Sequence, residues 1–167
     1  RLSVDRSFGI SGFGTVVTGT LTDGSLTVGQ GVELIPSGKQ VRIRGLQTHR
    51  KSEEVALPGI RAAVNLAGIS HDEVHRGDVL TMPGWLRPTV AIDVHLRLIP
   101  NIPRPLKHNT TVSLHVGTTE TLSRVRLLDC DQLQPGENGL AQLRVQEQVA
   151  VAKGDFFVIR SSDTTLG

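Results

Sequence analysis

One stretch decides the fold class: Val90-Ala91-Ile92-Asp93-Val94-His95-Leu96-Arg97-Leu98. Its even-numbered residues are apolar and its odd-numbered residues are mostly polar, which is the period of a β-strand that buries one face. Residues 111–116 repeat the alternation, and residues 40–44 do so until Gly45 interrupts it at a predicted β-bulge. Strands with one solvent-exposed face are typical of antiparallel sheets.

Composition and turn signals extend this pattern to the whole chain. Its 167 residues include 18 Gly and 8 Pro but only four Phe and one Trp, so the core must consist mainly of Val, Leu and Ile, which favour strands. Gly and Pro turn signals recur at short intervals. Only residues 70–75 could form a helical turn, with Ser70 as its cap.

We therefore predict an all-β fold of two consecutive antiparallel β-barrels. The break at Met82-Pro83-Gly84-Trp85 divides the chain into residues 1–84 and residues 85–167. A single β-sandwich is the alternative, but the Pro-Gly break favours two barrels.

Charge and cysteine content exclude several functional classes. The net charge is only +2, so a polybasic protein is excluded and any contact with nucleic acid must be local. The single cysteine, Cys130, excludes an internal disulfide and a multi-cysteine zinc site, and it fits a reducing, cytosolic setting. No apolar run approaches the ~20 residues that cross a bilayer. Because the chain begins at Arg1 without an initiator Met, we expect it to be a piece of a longer protein.

Two motifs superficially resemble ligand sites. The glycine-rich residues 9–19 lead into a β-branched run without the Lys-Ser/Thr of a phosphate loop. We expect a hairpin loop there, in which glycine allows the backbone to approach a neighbouring group closely. Residues 71–75 space two histidines at i and i+4, but Asp72 stands where a zincin motif has Glu, and a solvated polar turn is favoured over a metal site. With no catalytic constellation, these residues alone are not expected to form an enzyme.

Three groups of charged residues remain. Arg6 follows Asp5, and Arg61 opens a small, apolar strand in which a charge is conspicuous. An Asp5–Arg61 or Asp5–Arg6 ion pair is one explanation. Two basic clusters, residues 42–51 with three Arg and one Lys and residues 104–108, are either solvated faces or contacts for the phosphates of a nucleic acid.

Several motifs carry a resemblance to a known family. Residues 5–8 (DRSF) and 11–19 (SGFGTVVTG) resemble the opening of the second domain of translation GTPases of the elongation factor Tu type. Three further segments are similar to later parts of the same domain, in the same order and at the same spacing: residues 28–34, 59–68 and 76–80. The rest of the chain resembles the third domain of these factors, a six-stranded barrel. There, residues 104–108 and 115–118 resemble the selenocysteine-specific branch.

The resemblance implies a pocket for the esterified amino acid formed by Asp5, Arg6, Phe8 and Arg61. In that branch two arginines stand where elongation factor Tu has acidic and carboxamide side chains. A selenol is far more acidic than a thiol, so selenocysteine is anionic near neutral pH. Arg guanidinium favours an anion over the neutral hydroxyl of serine.

The resemblance also implies contacts with tRNA and further partners. Gln47 and His49 would hold the 3′-terminal adenosine, and Arg104, Lys107 and His108 would contact the acceptor and T stems. The implied partners are selenocysteinyl-tRNA, the ribosome and the GTPase domain of the same chain, in the cytoplasm, with no membrane. An mRNA hairpin would bind only through an absent C-terminal arm.

GTP and magnesium would belong to the absent N-terminal domain, so we expect no cofactor and no GTP hydrolysis in this fragment. The same module from a generic elongation or initiation factor is the nearest alternative. A small β-barrel enzyme and a non-catalytic β-barrel interaction domain are the others, because barrels host many functions.

Overall fold

The computed structural model describes residues 1–161. It divides into two compact units. The first comprises Arg1–Pro88 with the short segments Gly117–Thr119 and Ala150–Asp155, and the second comprises Thr89–Val116, Glu120–Val149 and the described residues that begin at Phe156. The main division, between Pro88 and Thr89, comes shortly after the Pro83-Gly84 break.

The first unit is built from β-strands and one short 3-10 helix, His71–Glu73. Its strands are β1 (Leu2–Ile10), β2 (Gly14–Leu21), β3 (Leu26–Thr27), β4 (Gly31–Ile35), β5 (Lys39–Thr48), β6 (Lys51–Glu53), β7 (Val55–Ala56), β8 (Arg61–Ala67) and β9 (Val79–Thr81). The main sheet has the order β4-β9-β1-β2-β8-β5-β6, and β4 also pairs with β5. That additional pairing closes six of the strands into an antiparallel barrel.

The barrel encloses a core of aliphatic side chains. Leu2, Val17, Val64 and Leu80 are completely buried, and they come from four different strands. Each such side chain contributes roughly 1.5–3 kcal/mol by leaving water. The alternation along each strand therefore determines which side chains face the core and which face solvent.

The second unit is also antiparallel. Its strands are β10 (Thr89–Arg97), β11 (Leu106–Lys107), β12 (Thr111–Val116), β13 (Thr119–Leu127), β14 (Gln132–Leu133), β15 (Asn138–Val149) and β16 (Phe157–Ser161). The main sheet has the order β10-β15-β13-β12-β16, and β11 pairs with β14 in a separate ribbon. Within residues 1–161 this sheet is an open half-barrel around Leu114, Val125 and Leu143. The all-β prediction is confirmed.

Local predictions about the backbone are also confirmed. The pairing of β5 with β8 shifts register between Ile43 and Gly45, which is the predicted bulge. The helical turn at His71–Glu73 begins after Ser70, whose backbone N–H donates to Glu73 Oε2 at 2.9 Å. In the glycine-rich hairpin the close approach is at Gly19, where an added Cβ would lie 2.1 Å from the Ser3 carbonyl oxygen.

Two kinds of feature are not found in the described part of the chain. Residues 1–161 contain no helix with the length and apolar character needed to span a membrane. The same residues contain no group of three or more His, Cys, Asp or Glu side chains arranged to hold a metal ion.

Candidate functional site

A β-bulge at Asp5 organises the candidate site in the first unit. Along the β1–β2 pair, Val4 lies opposite Gly19 and Arg6 lies opposite Thr18, so Asp5 is an extra residue without an opposite partner. A bulge turns a side chain away from the direction that the strand would otherwise impose. Here it directs the Asp5 carboxylate towards Thr18 and towards Arg61 at the start of β8.

Asp5 and Arg61 form a two-pronged ion pair. Arg61 Nη2 donates to Asp5 Oδ1 at 3.0 Å, and Arg61 Nη1 donates to Asp5 Oδ2. The Thr18 hydroxyl donates to the same Oδ1 at 2.6 Å. Planar guanidinium matches a carboxylate in this geometry, which fixes both groups. The structure thus contains the ion pair that the sequence left as one explanation for these charges.

The surroundings of Asp5 lower the pKa of its carboxyl group. Partial burial by itself raises the pKa, but the hydrogen bonds from Thr18 and Arg61 and the positive charges of Arg61 and Arg6 outweigh burial. The Asp5 side chain is only 15% exposed, whereas the Arg61 side chain is 56% exposed. Asp5 is therefore ionised at neutral pH, and its charge offsets that of Arg61.

Arg6 has a different environment from Arg61. It is exposed, and it forms no ion pair or hydrogen bond through its side chain within residues 1–161. Of the two arginines predicted for an anion pocket, Arg61 is held by Asp5 through hydrogen bonds, whereas Arg6 interacts with Asp5 only through its charge and donates no hydrogen bond within residues 1–161. This difference cannot be seen in the sequence.

The strand register places the predicted residues of the first unit on one outward face. Arg6 lies opposite Thr18, Thr18 opposite Ala63, and Ala63 opposite Gln47. At about 4.8 Å between strands, this row places Arg6 roughly 14 Å from Gln47. Arg61 is two residues before Ala63 on the same side of β8. The structure therefore brings Arg6, Arg61 and Gln47 onto a common surface.

The next row on this face contains Phe8 and an unpaired polar atom. Phe8 lies opposite Val16, Val16 opposite Asn65, and Asn65 opposite Gly45 at the bulge of β5. Phe8 is 38% exposed. Asn65 Oδ1 is buried and has no hydrogen-bond partner among residues 1–161. Sequence reasoning missed Asn65, although a lone amide in a small, apolar strand was a usable signal.

His49 lies in the turn between β5 and β6. The strands pair directly before and after it, with Thr48 opposite Lys51, so His49 and Arg50 form a two-residue turn. Both have positive φ, 51° and 66°, as a type I′ turn requires. Neither is Gly or Asn, and such a conformation costs roughly 1–2 kcal/mol per residue. The exposed His49 side chain is therefore held close to Gln47 by a strained turn.

The predicted stem contacts lie in the second unit. Arg104 is in the loop after β10 and Lys107 is in β11, and both are exposed. Lys107 lies opposite Gln132. The His108 backbone N–H donates to the Asp131 carbonyl at 2.8 Å, and His108 Nδ1 lies 3.2 Å from the Leu127 carbonyl oxygen. The three residues are neighbours, and the acidic segment that contains Asp131 lies beside them.

The glycine-rich hairpin borders an open cleft in the first unit. Its tip has positive φ at Gly12 and Gly14, 80° and 85°. A Cβ on Gly9 would meet the His71 ring at 3.2 Å, so the 3-10 turn packs directly on this strand. The cleft is lined by Gly9, Ile10, Ser11, Gly14, Thr15, Ile69, Ser70 and His71. Among these lining residues His71 has the one ionisable side chain.

Two family models match the chain, one for each unit. The model of elongation factor Tu domain 2 matches residues 14–81. The model of the selenocysteine-specific elongation factor β-barrel domain matches residues 91–167. Asp5, Arg6 and Phe8 precede the first matched range.

Individual relatives agree with these matches. A selenocysteine-specific elongation factor from Desulfomicrobium baculatum is 44% identical over 161 residues, 96% of this chain and 25% of that protein. The protein of the same description from Haemophilus influenzae is 31% identical over 98% of this chain and 26% of its own length. An elongation factor 1-alpha from Pyrobaculum aerophilum is 35% identical over 75% of this chain and 30% of its own length. The chain spans about a quarter of the length of the first two proteins.

Proposed function

We propose that this chain, which belongs to the selenocysteine-specific elongation factor family, holds an aminoacylated tRNA for delivery to the ribosome. The first unit receives the 3′ end with its esterified selenocysteine. The second unit receives the acceptor and T stems. The chain thus carries translation-factor domains, and what we propose is the kind of RNA that these domains bind.

The observation that carries this proposal is the unequal state of the two arginines. Asp5 holds Arg61 by two hydrogen bonds, whereas Arg6 donates no hydrogen bond within residues 1–161, so its guanidinium donors remain available on the face that also contains Gln47. A cationic group of this kind favours an anionic cargo and gains little from a neutral one. Arg6 is the group that distinguishes a selenolate from a hydroxyl, and Arg61 shapes the site.

The expected size of this discrimination can be worked out from electrostatics. A unit charge 4 Å from another gains about 1 kcal/mol in water and about 4 kcal/mol near a protein surface. Because Arg6 is exposed, the lower part of that range applies, about 1–2 kcal/mol. That corresponds to a preference of roughly 5- to 30-fold for the anionic amino acid.

The remaining partners are proposed from the family. Neither matched model is a GTPase domain, so GTP and its magnesium ion belong to another part of the longer protein, and these residues alone do not hydrolyse GTP. The ribosome is the destination, and an mRNA hairpin binds elsewhere in the parent. The setting is the cytoplasm.

A generic elongation factor module is the second candidate. The 35% identity with an elongation factor 1-alpha favours it, since a general factor also binds aminoacyl-tRNA. The two candidates differ in amino-acid selectivity, because a general factor is not expected to bind an anionic amino acid more tightly than a neutral one.

The deciding experiment measures cargo preference in the full-length protein with GTP bound. Affinities for selenocysteinyl-tRNA and seryl-tRNA are compared for wild type, Arg6→Ala, Arg61→Ala and the control Arg42→Ala, an exposed arginine of β5 that lies opposite Ala67, outside the row of Arg6 and Gln47. Arg6→Ala should lose most of the preference, Arg61→Ala a smaller part, and Arg42→Ala none. If wild type binds both tRNAs equally, the selenocysteine assignment fails. If the preference survives both pocket variants, the roles of Arg6 and Arg61 are wrong.

A further inference from the structure

The short segment Gly117–Thr119 of the first unit has no part in the site described so far. Its Thr118 side chain is half-buried, and the Thr118 hydroxyl donates to the Val4 carbonyl oxygen at 2.7 Å. Val4 is completely buried, and its carbonyl belongs to the peptide group that leads into Asp5. A hydroxyl group of this segment therefore contacts the backbone immediately before the bulge that directs the Asp5 carboxylate.

Core packing alone does not fix the position of this bulge. Val4 lies in the core, Asp5 is the extra residue of β1, and Arg6 is paired with Thr18 of β2. If the extra residue were Arg6 instead, Val4 would keep its place in the core, but Asp5 would lie opposite Thr18. The position of the bulge thus decides which of two oppositely charged side chains stands in the row that leads to Gln47.

The other edge of β1 holds the Val4 backbone at this point. Pairing of β1 with β9 ends at Ser3. Beyond Ser3, the Val4 N–H donates to the Asp78 carbonyl oxygen at 2.8 Å, and the Val4 carbonyl accepts the Gly77 N–H at 3.0 Å. A carbonyl oxygen has two lone pairs, and the Thr118 hydroxyl is the second donor to this one. Both acceptor sites of the Val4 carbonyl are therefore used.

Two glycines allow the segment to approach the barrel this closely. A Cβ on Gly117 would lie 3.0 Å from Ser3 Oγ, and a Cβ on Gly77 would lie 3.2 Å from Thr119 Oγ1. The Thr119 hydroxyl donates to the Gly77 carbonyl oxygen at 2.8 Å. Thr118 and Thr119 thus form the same kind of hydrogen bond to backbone, and of the two, that of Thr118 reaches the peptide group beside the bulge.

We propose that Thr118 is a positioning residue for selection of the amino acid. Its hydroxyl fixes the Val4 carbonyl and so keeps the extra residue of the bulge at Asp5. Asp5 then holds Arg61, and Arg6 keeps its place in the outward row with its donors available. Thr118 acts through the backbone and needs no contact with the cargo. This role deepens the proposed function and rests on it for the identity of the cargo, whereas the effect of Thr118 on Asp5 requires no ligand.

The first measurement follows the Asp5 carboxyl group in the 167-residue chain. Its pKa is titrated by carbon-detected NMR in wild type, Thr118→Val, Thr118→Ser and the matched control Thr119→Val. Partial burial raises this pKa, and the hydrogen bonds from Thr18 and Arg61 outweigh burial. In Thr118→Val these hydrogen bonds weaken, so the pKa of Asp5 should rise towards its ordinary value. Thr118→Ser, which keeps the donor, and Thr119→Val should leave it unchanged.

The second measurement is cargo preference in the full-length protein with GTP bound. In Thr118→Val the ratio of affinities for selenocysteinyl-tRNA and seryl-tRNA should fall by about 2- to 10-fold, the factor that corresponds to one net hydrogen bond between neutral groups. Thr118→Ser and Thr119→Val should keep the wild-type ratio. Each Val variant keeps the branched shape of threonine and loses one hydroxyl donor, so a general loss of stability would affect both alike.

The other outcomes overturn the role of Thr118. An unchanged pKa of Asp5 in Thr118→Val would show that the hydroxyl does not position the bulge. An equal loss of preference in both Val variants, or no recovery in Thr118→Ser, would indicate an effect of stability instead of position. A raised pKa with unchanged preference would overturn the role in selection. Failure of the proposed function is distinguishable, because wild type itself would then show no preference while the pKa of Asp5 would still respond to Thr118→Val.

Discussion

The ion pair between Asp5 and Arg61 can be measured by a double-mutant cycle. In a cycle of Asp5→Asn and Arg61→Met, we expect a coupling free energy of about 0.2–1 kcal/mol at pH 7. Met keeps much of the apolar stem of arginine and removes its charge. The expected coupling free energy is smaller than that of a buried ion pair, because the Arg61 side chain is 56% exposed and solvent screens its charge.

The pH dependence of this coupling has a definite sign. The pKa of Asp5 is lowered in the folded protein: burial opposes this, but the hydrogen bonds from Thr18 and Arg61 and the nearby positive charges outweigh it. A carboxyl group of this kind contributes its stabilisation above its unfolded pKa of about 3.9, and the stabilisation is lost as the pH falls through the lower folded pKa. The coupling should be constant between pH 7 and about pH 5 and should decrease as the pH falls further through the folded pKa.

The assay is urea unfolding of the four proteins of the cycle, followed by far-UV circular dichroism at several pH values. The control cycle combines Asp5→Asn with Arg6→Met, because Arg6 carries the same charge next to Asp5 but donates no hydrogen bond to it. Its coupling should be smaller than that of Arg61. Equal coupling in both cycles, or coupling with Arg61 that stays constant while the carboxyl group becomes protonated at low pH, would refute the geometry.

Three further predictions concern stability. Gly19→Ala should cost at least about 3 kcal/mol in urea unfolding, since its Cβ would lie 2.1 Å from the Ser3 carbonyl oxygen; Gly12→Ala, with nothing within 4 Å of its Cβ, should cost only about 1 kcal/mol. Arg50→Gly should raise the melting temperature by about 1–4 °C, because glycine accepts its φ of 66° without strain; a decrease would contradict the turn assignment. Leu114→Ala should destabilise by about 2–5 kcal/mol through a core cavity; a loss below 1 kcal/mol would contradict its packing.

Local sequence signals predicted several features of the fold. Alternation in residues 90–98 predicted a strand, and the break in alternation at Gly45 predicted the bulge that the structure contains. The turn at His71–Glu73 was predicted from Ser70 as its cap. Each of these features depends on neighbours within a few residues, and such neighbours are visible in the sequence.

The candidate site was predicted only in part. The resemblance selected Asp5, Arg6, Phe8 and Arg61, and the structure places them on or beside one face of the first unit. No local signal marked a bulge at Asp5, so the sequence did not decide between an Asp5–Arg61 and an Asp5–Arg6 pair. Thr18, which donates to Asp5, was missed for the same reason.

The sequence by itself determined that this chain is an all-β protein. It also determined which translation-factor family its domains belong to and which charged residues are candidates for RNA contact. Only the tertiary structure decided that Asp5 accepts hydrogen bonds from Arg61 and not from Arg6, and that Arg6 and Gln47 share one outward face. The physical reason is strand register. A shift of one residue moves every side chain to the opposite face, and register is set by pairing and bulges between segments far apart in the chain.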